Sequence, residues 1–95
     1  MSMITETEFA RIANGIFSDR DLIIKHNPIG TEAEILLWML MSCLLSYLSL
    51  DDAEVPCFPG RADQNNYGDA IRLILKRRRA DDFDPEPYLA KLSGE

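Results

Sequence analysis

The chain has 95 residues, an apolar content of 46% and a formal net charge of −6 at pH 7. This length fits one domain, taken as residues 1–95, and the apolar content excludes an intrinsically disordered chain. The acidic balance argues against binding to the phosphate backbone of nucleic acids, which requires an excess of Lys and Arg, so we do not expect nucleic acid as a direct partner. Because no basic and apolar leader pattern opens the sequence, we expect a cytoplasmic protein whose two cysteines are reduced.

The first predicted helix begins near Thr5, where Thr5 and Glu8 have the spacing of a capping box. Apolar residues follow at helical spacing, and Gly15 weakens this helix by about 1 kcal/mol relative to Ala without ending it. The apolar residues 22–24 form either a short helix or a short buried strand, because three residues do not define a period. A break is predicted at residues 27–30, which include a Pro and a Gly.

The most prominent feature of the sequence is an uncharged apolar segment of sixteen residues, ILLWMLMSCLLSYLSL, from Ile35 to Leu50. A second Thr-Glu-x-Glu pattern at Thr31 precedes it and predicts a helix over about 33–50. A helix that is apolar on nearly all sides is normally central in its domain. Sixteen residues span roughly 24 Å, which is too short for the ~30 Å hydrocarbon core of a bilayer, so we expect no association with a membrane.

The other predicted helices offer little surface to cover this central helix, and the sequence therefore predicts a homodimer. Trp38 and Met41 are candidate interaction residues because Trp and Met are enriched at protein interfaces. Leu45 lies one turn beyond Met41 and completes this predicted contact.

A long irregular segment is predicted at about 51–66, where two Pro and one Gly exclude a continuous helix. Loops of this length are often functional, and Phe58 is the candidate contact residue within it. Cys57 is a candidate reactive thiol, although no nucleophile motif surrounds it.

The next predicted helix runs from about residue 66 to residue 79, with a clean apolar stripe and a basic end. The candidate basic contact residues are Arg72, Lys76, Arg77, Arg78 and Arg79. They either contact phosphate or an acidic partner, or simply complement the negative end of the helix dipole. Asp84 and Pro85 then begin a short tail helix at about 85–92.

The sequence offers no catalytic arrangement. His26 is the only histidine, and neither a nucleophile nor an orienting group accompanies it. No spacing of Cys, His, Asp or Glu suits a metal. We therefore expect no enzyme activity, no catalytic residue, no metal and no cofactor.

Together these patterns predict an all-α fold, a small bundle of three to five helices around the central helix at about 33–50. The predicted function is that of a protein–protein interaction or adaptor module that associates with itself. The alternative is a regulator or inhibitor of nucleic-acid machinery, which acts through the basic helix end at 72–79 or through an acidic surface that mimics nucleic acid.

Overall fold

Five α-helices and no β-strand occur in the computed structural model, which describes residues 3–28, 30–49, 64–78 and 83–94. The helices are α1 (Glu6–Ser18), α2 (Arg20–His26), α3 (Glu32–Tyr47), α4 (Gln64–Arg78) and α5 (Glu86–Ser93). The predicted all-α bundle is confirmed. The segment at 22–24, for which the sequence left helix and strand open, lies in α2.

Local hydrogen bonds set the beginnings of α1 and α3. The Glu8 backbone N–H donates to Thr5 Oγ1 over 3.3 Å, and the Thr5 N–H donates to the Glu8 carboxylate over 3.1 Å, which completes the predicted capping box. At α3 the Glu34 N–H donates to Thr31 Oγ1 over 3.2 Å. Each threonine thus satisfies an amide that has no partner within its helix.

Helix α3 is the centre of the bundle, because it contacts each of the other four helices. The Leu40 and Leu44 side chains are completely buried in its middle. The other large and completely buried side chains come from the start of the chain, α1, α3 and α4, and include Phe9 of α1 and Ile71 of α4. The predicted position of the apolar segment at the core is therefore confirmed.

The end of α3 differs from the sequence prediction by three residues. The helix ends at Tyr47, and the Leu48 N–H donates to the Leu44 carbonyl over 2.8 Å as its last closing bond. Ser49 follows with φ +55°, a left-handed conformation that turns the backbone out of the helix. The predicted helix reached Leu50 because the prediction followed the apolar residues, and their pattern contains no information about this turn.

Two short helices provide cover that the sequence argument underestimated. Helix α2 contacts both α1 and α3, and its Ile23 packs against the core. Helix α5 buries Leu89 and Leu92 against the core, and the Tyr88 ring meets the Phe9 ring edge-on at 5.4 Å. The chain therefore covers most of its own central helix.

The boundaries of α4 and α5 refine two other predictions. Helix α4 begins at Gln64, so the last three residues of the predicted 51–66 loop are helical. The first part of that loop, with Phe58, lies outside the described residues, as does Arg79. Helix α5 begins one residue later than predicted, with the Glu86 N–H donating to the Asp84 carboxylate over 3.0 Å.

The apolar stripe of α4 is confirmed, with Ala70, Ile71, Ile74 and Leu75 buried. Its last turn also anchors the start of the chain, because the buried Ile4 donates its backbone N–H to the Arg78 carbonyl over 3.4 Å. None of the described helices is long and apolar enough to cross a membrane.

Candidate interaction site

The predicted contact residues of α3 lie together along one side of the helix, three and four residues apart. Trp38 is 39% exposed, which is unusual for so large an apolar side chain. Met41 and Leu45 are half-buried, because part of each side chain packs against the core. We call these three residues the Trp38 face.

The predicted basic cluster is divided between different roles. Arg72 Nε lies 2.9 Å from Glu86 Oε2, and Arg72 Nη1 lies 3.0 Å from Asp69 Oδ1. These carboxylates, with Glu86 first, raise the pKa of Arg72 above its ordinary value. Lys76 and Arg77 are exposed on the last turns of α4. Of the described cluster residues, Arg72 therefore joins α4 to α5, while Lys76 and Arg77 face solvent.

A groove that the sequence analysis missed lies between α1, α2 and α3, with a volume of about 440 Å³. Its apolar lining consists of Ile12, Ile16, Ile23, Met39 and Cys43. Its polar and small lining residues are Arg11, Gly15, Asp19 and Tyr47. We call this set the α1 groove. The one sign of this groove in the sequence is Gly15, a glycine in the middle of a helix where no turn requires one.

At one end of the α1 groove the Tyr47 hydroxyl interacts with the Glu8 carboxylate. The Thr5 backbone N–H, and after it the Tyr47 hydroxyl, stabilise the ionised Glu8 and lower the pKa of its carboxyl. The same interaction with Glu8 raises the pKa of Tyr47, so its hydroxyl stays protonated at neutral pH. Tyr47 is 44% exposed and therefore presents much of its ring to solvent.

Cys43 lies in the α1 groove as a free thiol. Burial away from water raises its pKa above the ordinary value. A thiol in this state is protonated at neutral pH and is a weak nucleophile. The thiol therefore serves the groove as a small apolar group.

A second cavity, of about 430 Å³, lies between the start of α3 and the end of α5. Its two cations are already engaged within the chain. Arg20 forms an ion pair with Glu32, and the Lys91 ammonium lies 4.5 Å from the centre of the Phe17 ring. Neither cation is therefore left without a partner to hold an anionic ligand.

The remaining candidates for chemistry lie apart from these surfaces. His26 is exposed at the last residue of α2. Among the described residues, no group of three or more His, Cys, Asp or Glu side chains is placed to hold a metal ion. The described residues thus offer apolar contact surfaces as the main candidates for a site.

No family model matches the chain, and no curated protein and no solved structure shows a significant resemblance to it.

Proposed function

We propose that this protein is a non-catalytic protein–protein interaction module that associates with itself. The observation that carries the proposal is the apolar surface left open by a chain that otherwise buries its core well. Four large apolar side chains are exposed in the described residues: Met3, Leu22, Trp38 and Tyr47. An apolar groove accompanies them. When two copies associate, apolar surface that is exposed in a single copy is removed from water. This burial is the main favourable contribution to the free energy of association.

Two different apolar surfaces fit an adaptor. The Trp38 face is a short helical stripe, and the α1 groove is a concavity between three helices. One surface can join two copies while the other binds a different protein. The raised pKa of Cys43, which keeps this thiol protonated, supports a function without catalysis. The free thiol of Cys43 also fits the reducing conditions of the cytoplasm, which we propose as the location.

Regulation of nucleic-acid machinery is less well supported. The basic end of α4 has Lys76 and Arg77 exposed, but Arg72 is occupied by Glu86 and Asp69. A protein that bound DNA or RNA through this end would lose affinity steeply with added salt. Titration with a labelled duplex at two salt concentrations tests this alternative directly.

The experiment that tests self-association is the solution mass by light scattering across a range of protein concentrations. We expect the mass to rise from 10.8 kDa toward twice that value as the concentration rises. The emission of Trp38, the single Trp of the chain, is recorded on the same samples and reports whether the Trp38 face becomes buried. A mass that stays at 10.8 kDa throughout would contradict self-association.

A further inference from the structure

The α1 groove contains an unfilled position at its centre. Gly15 lies in the interior of α1, and a Cβ atom added to it would meet no atom within 4 Å. Its φ is not positive, so neither the backbone conformation nor a neighbour among the described residues requires glycine there. Glycine in a helix interior is destabilising relative to Ala. Because glycine has no side chain, a helix of another molecule can approach the α1 backbone closely at this position.

Two residues of opposite charge stand on either side of this position. Arg11 lies four residues before Gly15 and Asp19 lies four residues after it, and both line the groove. At 1.5 Å per residue, the Cα atom of each lies roughly 6 Å along the helix axis from that of Gly15. When a second α1 helix lies antiparallel to the first with the two Gly15 residues opposite each other, each positive residue faces a negative one.

We propose that two copies of this chain pair through the α1 groove, with their α1 helices antiparallel across a two-fold axis at Gly15. This inference rests on the proposed self-association and assigns its surface. In a two-fold interface, any contact between one residue and another occurs twice. Arg11 of each copy then faces Asp19 of the other, and the two Gly15 residues meet at the axis.

The same arrangement covers one of the exposed apolar side chains. Tyr47 lines the α1 groove together with Arg11 and is 44% exposed. Pairing through the groove removes this ring from water. The Trp38 face plays no part in this pairing and stays open for a different protein.

Charge reversal gives a specific test. Arg11→Asp places two negative charges opposite each other at both ends of the pair, and Asp19→Arg places two positive charges there. Each variant alone should dimerise at least about tenfold more weakly than the native chain, because like charges face each other. An equimolar mixture of the two should form heterodimers, since both contacts again join opposite charges. The double variant with Arg11→Asp and Asp19→Arg should dimerise as the native chain does.

Two controls separate pairing from folding. Lys76→Asp changes the net charge as much as Arg11→Asp, but at an exposed site on α4, and should leave dimerisation unchanged. Asp19 makes no side-chain capping bond to α2, so its reversal does not remove a cap. Far-ultraviolet circular dichroism at low concentration verifies that each variant is folded.

A substitution at the axis gives a second, independent readout. Gly15→Gln should raise the melting temperature of the monomer, because Gln is the better helix former. It should nevertheless weaken dimerisation by about tenfold or more, because its side chain occupies the space needed for close approach. In the native dimer, alkylation of Cys43 should slow with rising concentration, while the emission of Trp38 should not shift.

Three results would overturn this pairing. A native mass of 10.8 kDa at every concentration would remove self-association altogether, and the proposed function with it. A native dimer that both single reversals leave intact would place the interface elsewhere and leave the proposed function standing. Weakened single variants whose mixture forms no heterodimer would show that the helices do not pair antiparallel about Gly15.

Discussion

Arg72 and Glu86 form a two-pronged ion pair, with Arg72 Nε 2.9 Å from Glu86 Oε2 and Nη2 2.9 Å from Oε1. Fourteen residues separate them in sequence, and the pair joins the middle of α4 to the first residue of α5. The fork geometry of Arg suits such a pair better than the single ammonium of Lys. The pair also gives Arg72 a role within the fold, whereas the sequence made it a candidate for contact with a partner.

We predict that Arg72→Ala lowers the free energy of unfolding by about 0.5–1 kcal/mol. The loss is modest because the two side chains are 45% and 50% exposed, so solvent screens the pair. Arg72→Lys should recover only part of this loss. Urea unfolding of both variants measures the difference. Arg77→Ala is the matched control, and a loss as large as that of Arg72→Ala would contradict the stabilising role of the pair.

Substitutions in α3 should separate core residues from surface residues on the same helix. Leu40→Ala and Leu44→Ala should each lower the free energy of unfolding by about 2–5 kcal/mol, because both side chains are completely buried. Leu45→Ala, at a half-buried position of the Trp38 face, should cost less. Chemical denaturation at low protein concentration measures all three. Equal losses at the three positions would mean that α3 has no open side.

The sequence predicts the central helix and its caps well because these features are local. Thr5 and Glu8 lie three residues apart, and the apolar segment around Leu40 is continuous, so neither depends on distant parts of the chain. The α1 groove escaped prediction for the opposite reason. From the sequence alone, Ile12 and Met39 cannot be distinguished from ordinary core residues of their helices. Only the way in which the helices pack decides that these side chains border open space.

The same limit explains the divided basic cluster. The spacing of Arg72 and Lys76 places both on one side of α4, and the sequence contains no local sign of the carboxylate that α5 brings to Arg72. Pairs within one helix follow from spacing, whereas pairs between helices require the fold.

Two glycines should respond oppositely to the same substitution. Gly15→Ala should raise the free energy of unfolding by about 0.5–1 kcal/mol, because helical backbone accepts Ala and no neighbour obstructs its Cβ. Gly94→Ala should lower it by about 1 kcal/mol, because Gly94 ends α5 with φ +83°. Thermal unfolding at low protein concentration compares the two variants. Stabilisation by both would contradict the left-handed end of α5.

The interaction between the Tyr47 hydroxyl and the Glu8 carboxylate predicts a pH dependence at the end of the α1 groove. The folded chain holds the pKa of Glu8 below its ordinary value of 4.5, with the Thr5 backbone N–H as the largest cause and the Tyr47 hydroxyl next. The unfolded state therefore binds a proton more readily than the folded state. The stabilisation from Glu8 is present at neutral pH and is lost as the pH falls below 4.5 and through the folded pKa.

Tyr47→Phe should raise the pKa of Glu8 toward 4.5 without restoring it completely, because the bond from Thr5 remains. Carbon NMR titration of the Glu8 carboxyl measures this shift, and urea unfolding between pH 7 and pH 3 measures the accompanying stability. Thr5→Ala provides the comparison, since the Thr5 backbone N–H, the larger cause, is retained while the hydroxyl bond is lost. It should therefore move the pKa only slightly. An unchanged pKa in Tyr47→Phe would mean that Tyr47 does not bond Glu8 in solution, and that its ring is free to leave this end of the groove.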